Sequence, residues 1–200
     1  ADIVIDLIFM LFTPAQKEIL ASGTRILLAY DSPETLARLV PTLDDRTRVV
    51  AARNTFNAAS EIRVTSPSGT DFIAELGEFP AVAEYGFAEE PGRWDHWPSG
   101  FVARHPNEGT ARGTIVLSAG DIIIPFKSYL HSAIELTVKD GMITEIRGGS
   151  EAEFLNSYLL GFNDPNAYGV SHLGWGLQPR ARWTSLGLYG KDQTIAMEAR

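Results

Sequence analysis

The alternation of apolar runs with helix-start signals in the first 60 residues constrains the fold most strongly. Residues 3–10 and 24–30 are near-continuous apolar runs, typical of strands buried on both faces of a parallel sheet. Each run is followed by a capping residue with proline at the first helical position, at Thr13-Pro14 and at Ser32-Pro33. Short links between strand, helix, strand and helix predict an open parallel α/β unit.

From residue 61 the sequence changes to the pattern of antiparallel strands. Residues 61–65 alternate with period two, and residues 71–76 are predicted to pair back with them as a hairpin. Asp140-Gly141, which lies between two apolar runs, is a strong signal for a second hairpin. Ser150, with Glu153 three residues later, predicts a capping box at the start of a helix.

These patterns predict an α/β fold class with two styles of domain. Residues 1–60 are predicted to be the C-terminal part, a remnant, of an open parallel Rossmann- or flavodoxin-like α/β N-terminal domain. Residues 61–200 are predicted to form an α+β catalytic domain with antiparallel strands, truncated at its C-terminus. The chain begins without methionine inside a strand-like run and stops in an element without a terminator. We therefore expect an incomplete portion of a longer protein.

Composition excludes several classes of function. The net charge of −8 argues against nucleic acid or an anionic membrane as the main partner. The absence of cysteine removes disulfides, thiolate metal sites and cysteine nucleophiles, and it fits a cytoplasmic location. No apolar run approaches the roughly 20 residues that a membrane helix needs. Since no glycine-rich phosphate loop follows either early strand, a nucleotide site is not expected.

The segment 92–100 is the densest group of chemically capable side chains. It holds two of the four tryptophans together with a histidine, an aspartate and an arginine, between flanking glycines. Pro98 removes a backbone donor and the glycines favour unusual dihedral angles, so neither a regular helix nor an alternating strand is predicted here. Such a segment either lines a pocket or anchors a loop on a core, and both interpretations stay open.

The four histidines have no local spacing that predicts a metal site. His105 and His131 are interpreted as exposed or structural residues. His96 follows an aspartate among tryptophans, and His172 lies in the glycine-rich stretch 169–176. A neutral imidazole in aromatic surroundings can ligate iron or act as an acid or base near neutral pH, so His96 and His172 are candidate site residues.

Glu84 is the candidate carboxylate, flanked by small and aromatic residues. It is interpreted either as the partner of an arginine, with Arg93, Arg180 and Arg182 available, or as a base. The residue pattern leaves both open.

Four stretches of this sequence resemble the 2,5-dihydroxypyridine 5,6-dioxygenase family. They are residues 84–100 (EYGFAEEPGRWDHWPSG), residues 169–181 (GVSHLGWGLQPRA), residues 24–29 (TRILLA) and residues 162–165 (FNDP). The resemblance extends over essentially all 200 residues.

The resemblance implies a non-haem Fe(II) enzyme that cleaves an aromatic ring in the extradiol manner. Its substrates are a small aromatic molecule, 2,5-dihydroxypyridine, and O2. The ring opens between C5 and C6 to give N-formylmaleamate, in bacterial nicotinate and nicotine degradation. The family's fold is related to the M29 aminopeptidase T family, and its members are expected to be cytoplasmic homo-oligomers, by resemblance hexamers.

The resemblance also implies roles for particular residues. Iron in this family is held by two histidines and one aspartate, a facial triad with open positions for substrate and O2. His172 corresponds to the first ligand, and the remaining histidine and aspartate are expected beyond residue 200. Glu84 and His96 correspond to catalytic acid/base and substrate-orienting residues, with the division between them left open. Leu11 corresponds to a residue at the substrate entrance, and Phe12 stands where the family has a histidine.

Two alternatives accompany this interpretation. The first is a metal-dependent aminopeptidase of the M29 type, in which a glutamate ligand follows a Pro-Ser/Asp-Gly-like turn. Phe101 occupies that position here and cannot bind a metal. The second is an inactive oligomerisation or binding module, which is expected if the chain ends at Arg200.

Overall fold

The computed structural model describes residues 1–185 and 191–197, with both helices and strands. The helices are α1 (Pro14–Ala21), α2 (Pro33–Arg38), α3 (Leu43–Ala58), α4 (Ser150–Leu160) and α5 (Lys191–Ile195). The strands are β1 (Ile3–Asp6), β2 (Arg25–Leu28), β3 (Glu61–Thr65), β4 (Asp71–Glu75), β5 (Val82–Glu84), β6 (Trp94–His96), β7 (Phe101–Arg104), β8 (Arg112–Leu117), β9 (Ile122–Ile123), β10 (Ser128–Tyr129), β11 (Ile134–Lys139), β12 (Met142–Gly148) and β13 (Leu173–Gly176). Within these ranges no helix combines the length and apolar character that crossing a membrane requires.

Two compact units make up the described chain. The first unit comprises residues 1–54, 82–103 and 174–200, and the second comprises residues 55–81 and 104–173. This grouping differs from the predicted division at residue 60, because strand β6 pairs with β2 and so belongs with the first residues of the chain. The division into domains 1–60 and 61–200 stays a prediction about the organisation of the whole protein.

A parallel sheet in the order β1-β2-β6 forms the centre of the first unit. Ile26 and Leu28 of the central strand are buried. In the strand register Leu28 lies opposite Asp6 on one side and His96 on the other. The carboxyl ends of three parallel strands therefore meet at one edge, which is where open α/β sheets place their ligands. The predicted parallel α/β character is confirmed.

The first strand is shorter and more exposed than the sequence predicted. It ends at Asp6, whose carboxylate accepts hydrogen bonds from the backbone N–H groups of Ile8 at 2.9 Å and Met10 at 2.8 Å. Those bonds turn the backbone out of the strand conformation. Because β1 lies at the edge of the described sheet, Ile5 is 51% exposed, and the prediction of a strand buried on both faces over residues 3–10 is wrong.

The two predicted helix starts are confirmed. The hydroxyl of Thr13 accepts from the N–H of Gln16 at 3.2 Å, and proline follows at the first helical position of α1. The hydroxyl of Ser32 accepts from the N–H of Thr35 at 3.3 Å at the start of α2. Each cap satisfies a backbone donor that the first turn leaves without a partner.

A five-stranded antiparallel sheet in the order β12-β11-β8-β4-β3 dominates the second unit. Both predicted hairpins are confirmed, and Asp140 and Gly141 adopt φ values of 49° and 77° in the tight turn. Helix α4 packs Leu155 and Ala152 into a core with Ile134 and Leu136.

The predicted capping box at α4 is wrong. Ser150 is the first helical residue, and Gly149 precedes it without a side-chain hydrogen bond. Glu151 instead accepts from the backbone N–H groups of His131 at 3.1 Å and Ser132 at 2.9 Å. The carboxylate in the first turn therefore holds a loop, and it does not cap its own helix.

Candidate active site

Glu84 and His96 meet at the ends of two short strands of the first unit. Glu84 ends β5, which pairs antiparallel with β7, and His96 ends β6. The Glu84 carboxylate contacts Nε2 of His96 directly. His96 is 1% exposed, whereas the Glu84 side chain keeps 18% of its surface open. The two residues, twelve positions apart in sequence, thus form a pair with solvent access on the carboxylate side.

The hydrogen bonds of His96 define which ring nitrogen exchanges a proton. Nδ1 lies 2.5 Å from the carbonyl oxygen of Pro98. A carbonyl oxygen only accepts, so Nδ1 carries the hydrogen and donates it. Nε2 is therefore the ring nitrogen that faces the Glu84 carboxylate. A carboxylate in contact with an imidazole nitrogen is an arrangement suited to general acid/base catalysis.

The two tryptophans of segment 92–100 have different surroundings. Trp97 is an anchor: its indole N–H donates to the carbonyl oxygen of Leu36 at 3.0 Å, and its backbone N–H donates to that of Leu28 at 2.7 Å. Trp94 packs its ring 5.4 Å from the ring of His96. The segment also contains strand β6, so the expectation that it has no regular strand is wrong for residues 94–96.

Two of the three arginines considered as partners of Glu84 pair with other carboxylates. Arg93 lies 2.6 Å from Asp95, and Arg180 lies 2.8 Å from Asp45. The Arg93 guanidinium also lies 4.0 Å above the ring of Tyr85. Burial nevertheless raises the pKa of Tyr85, so this phenol stays neutral near pH 7.

Leu11 and Phe12 lie on the loop between β1 and α1, which leaves the carboxyl edge of the parallel sheet. Phe12 has a positive φ of 65° and is 82% exposed, and its N–H donates to the side-chain oxygen of Gln16 at 2.7 Å. Leu11 is partly buried. An exposed aromatic ring at a ligand-binding edge is a surface that a flat ring can stack on.

His172 belongs to the second unit, and its imidazole is exposed. Its ring packs edge to face against His105, with centroids 5.8 Å apart. His105 places Nδ1 at 2.6 Å from the carbonyl oxygen of Ser171, the residue before His172. On the other side of His172, a Cβ on Gly174 would collide with the carbonyl oxygen of Val102. Close approach of the backbone therefore favours glycine at this position.

A complete metal site is absent from the part of the chain that the structure describes. Within residues 1–185 and 191–197, no three histidine, aspartate or glutamate side chains are grouped to hold an ion. His172 offers a single imidazole with the donor chemistry of an iron ligand. These residues alone do not fit Fe(II), and the chemistry below is derived from Glu84 and His96.

Asp95 is the functional candidate that the sequence did not reveal. It is completely buried between Trp94 and His96, and its carboxylate collects backbone and side-chain donors. The available signal was Arg93 two positions earlier, directly before strand β6, since alternate residues of an extended segment share a face.

Comparison with known proteins places this arrangement in a family. The model of the family described as "NicX: 2,5-dihydroxypyridine 5,6-dioxygenase" matches residues 1–200. A curated 2,5-dihydroxypyridine 5,6-dioxygenase of Pseudomonas putida (strain KT2440) is 54% identical over 200 residues, which are 100% of this chain and 57% of that protein. The chain therefore spans little more than half the length of that relative.

A solved structure of a relative supports the fold. The 2,5-dihydroxypyridine dioxygenase of Pseudomonas putida KT2440 superposes with a TM-score of 0.91 at 55% identity, covering 98% of this chain and 56% of that chain. This likeness confirms the predicted α/β fold class. Wild-type AmpT from Thermus thermophilus reaches a TM-score of 0.45 at 12% identity, covering 80% of this chain and 57% of that chain, which is too weak to support a conclusion.

Proposed function

The chain belongs to the 2,5-dihydroxypyridine 5,6-dioxygenase family, and we propose that the protein opens the ring of 2,5-dihydroxypyridine with O2. The C5–C6 bond breaks and both oxygen atoms enter the product, N-formylmaleamate, so no further reductant is needed. The observation that carries the proposal is the contact between Glu84 and Nε2 of His96 at the carboxyl edge of the parallel sheet. An acid/base pair at this edge suits a substrate that must lose and regain hydroxyl protons.

Glu84 and His96 act as one proton-handling unit in this proposal. The Glu84 carboxylate is the more exposed member, so the proton of a substrate hydroxyl reaches the pair from its side. His96 Nε2 takes up the charge change, because Nδ1–H is already committed to Pro98. The same proton then returns to an oxygen formed during ring opening. In this proposal the proton enters through Glu84 and is stored on His96.

We propose Fe(II) as the cofactor, with His172 as one ligand. The support is the resemblance of the 169–181 stretch and the exposure of the His172 imidazole. The other histidine and the aspartate stay a prediction from that resemblance. In the same way, Leu11 and the exposed ring of Phe12 are proposed to border the substrate entrance. The hexameric assembly, the cytoplasmic location and the role in nicotinate or nicotine degradation remain predictions.

The aminopeptidase alternative gains no support from the site. Phe101, at the position where that family has a metal-binding glutamate, packs against the apolar cluster of Leu39, Ala181 and Ile195. An aromatic side chain in an apolar cluster offers no donor atom for a metal. The inactive-module alternative is decided by the activity experiment.

That experiment uses the full-length protein. It is loaded with Fe(II) without oxygen, then mixed with O2 and 2,5-dihydroxypyridine, while O2 uptake and the loss of substrate absorbance are followed together. We expect one O2 consumed for each ring opened. Iron-bound protein that consumes no substrate would rule out this substrate, and protein that binds no iron would favour the inactive module.

A further inference from the structure

One fully buried carboxylate, Asp95, is hydrogen-bonded on both of its oxygen atoms. Asp95 lies in the middle of β6 and has no exposed surface. Its Oδ1 accepts from the N–H groups of Gly86 at 2.9 Å and His96 at 2.8 Å and from the Ser99 hydroxyl at 3.3 Å, and its Oδ2 accepts from the N–H of Tyr85 at 3.2 Å and from Arg93 at 2.6 Å. A buried carboxylate is tolerated in a fold when its oxygen atoms accept hydrogen bonds in this way.

Arg93 supplies the compensating charge and is itself fixed. Besides its ion pair with Asp95, its guanidinium donates to the carbonyl oxygens of Phe87 at 3.0 Å and Ala83 at 2.8 Å. Planar guanidinium groups with several acceptors hold a defined geometry. Arg93 and Asp95 together connect the backbone on both sides of Glu84 to strand β6.

Backbone donors to Asp95 come from His96 and from the segment that follows Glu84. Two are the N–H groups of the residues immediately after Glu84, and a third is the N–H of His96 itself. Successive side chains of a strand point to opposite faces, so Asp95 points away from the face of His96. Asp95 therefore acts on His96 and on the segment after Glu84 through their backbone.

We propose that Asp95 is a positioning residue that holds Glu84 against His96 and fixes the tautomer of the imidazole. The proposal rests on the proposed function of the same pair and names a residue on which that function depends. Without Asp95, the segment after Glu84 and the backbone of His96 lose their common acceptor. The Glu84 carboxylate then moves relative to Nε2 of His96. Displacements of about 1 Å between reacting groups lower the rate by up to about a hundredfold.

The Asp95→Asn variant tests this in full-length protein labelled with ¹⁵N at histidine. Asparagine keeps the shape, but in either orientation its NH2 group faces N–H donors. In the wild type we expect His96 to show one tautomer with hydrogen on Nδ1. In Asp95→Asn we expect a mixture of tautomers and a fall in kcat of about tenfold to a hundredfold, with KM changed less than about threefold.

Asp192→Asn is the matched control. Asp192 is a 1%-exposed carboxylate of the same unit, paired with Arg38 at 2.8 Å. Its loss is expected to lower stability and to leave the His96 signals in place. If Asp95→Asn does not fold, Arg93→Lys carries the test, since lysine keeps the charge and loses the fork of hydrogen bonds.

Folded Asp95→Asn, or folded Arg93→Lys in its place, with unchanged His96 signals and unchanged kcat would overturn the proposal. The histidine signals need no substrate. A wild type that shows the fixed tautomer but does not turn over dihydroxypyridine would refute the proposed function and leave the role of Asp95 standing.

Discussion

The two histidine segments proposed as functional are held in contrasting ways. His96 is buried and both of its ring nitrogens contact oxygen atoms, one of Pro98 and one of Glu84. His172 is exposed, and its ring rests edge-on against His105. A group that transfers protons must be preorganised by its own surroundings, and the first unit supplies them for His96. An exposed imidazole is instead suited to a ligand that arrives from outside, which fits the metal-binding role proposed for His172.

The largest effect is expected when the carboxylate of Glu84, which contacts His96, is removed. Glu84→Gln keeps the size of the side chain but cannot hold a proton at neutral pH. We expect kcat to fall by about 10²- to 10⁴-fold, which is the usual contribution of general acid/base catalysis. Steady-state O2 uptake by the iron-loaded full-length protein measures the fall.

Glu89→Gln is the control for that variant. Glu89 is an exposed carboxylate of the same unit and forms an ion pair with Arg46. Exposed ion pairs contribute little, so activity is expected to stay within about twofold. Equal rates for Glu84→Gln and Glu89→Gln would remove Glu84 from the mechanism.

A smaller effect is expected from replacing His105, which packs against the exposed His172. His105→Phe keeps an aromatic ring beside His172 but removes the donor to the carbonyl oxygen of Ser171. A lost hydrogen bond of this kind costs about 1 kcal/mol, equivalent to about a fivefold rise in local opening. Faster amide hydrogen exchange at residues 170–174, with unchanged exchange in β6, is the predicted result. Unchanged exchange at residues 170–174 would show that His105 does not support His172.

The smallest effect concerns Glu151, a carboxylate of helix α4 in the second unit. Hydrogen bonds from the backbone N–H of His131 and from the hydroxyl and N–H of Ser132 lower the pKa of Glu151 from 4.5 to about 2. Because the folded-state pKa of Glu151 lies below its ordinary value, the ionised carboxylate contributes fully to the free energy of unfolding above pH 4.5. That contribution is lost as the pH falls from 4.5 to about 2.

Urea unfolding between pH 2 and pH 7 tests the role of Glu151. Below pH 4.5 the free energy of unfolding of Glu151→Gln is expected to fall less steeply than that of the wild type. Glu153 is an exposed residue in the same helical turn, and Glu153→Gln should follow the wild type. Identical pH curves for the wild type and Glu151→Gln would show that the loop at His131 does not depend on this carboxylate.

Local sequence signals predicted the elements that local chemistry determines. The Thr13 and Ser32 caps and the Asp140-Gly141 hairpin are present because each depends on residues a few positions apart. The end of β1 at Asp6 was missed, because the apolar run continued past the carboxylate that turns the backbone. Strand β6 was missed because its pairing partner, β2, lies almost 70 residues away in the sequence.

The candidate site depends on local signals to a lesser extent. Residue types and resemblance identified Glu84 and His96, but only the fold brings them into contact across twelve positions. Asp95 was missed because its importance lies in its hydrogen-bond partners, and backbone donors leave no trace in the sequence. The five candidate residues, named from residue types and resemblance, stay predictions, and the hydrogen bonds that support the pair could not be read from the sequence.

Iron retention by two alanine variants tests the central contrast most directly. Full-length His172→Ala and His96→Ala are loaded with Fe(II) without oxygen, desalted and analysed for iron per chain, beside the wild type. We predict that His172→Ala loses bound iron, whereas His96→Ala retains wild-type iron and loses turnover. Loss of iron from His96→Ala with retention by His172→Ala would contradict the assignment of proton transfer to the buried histidine and metal binding to the exposed one.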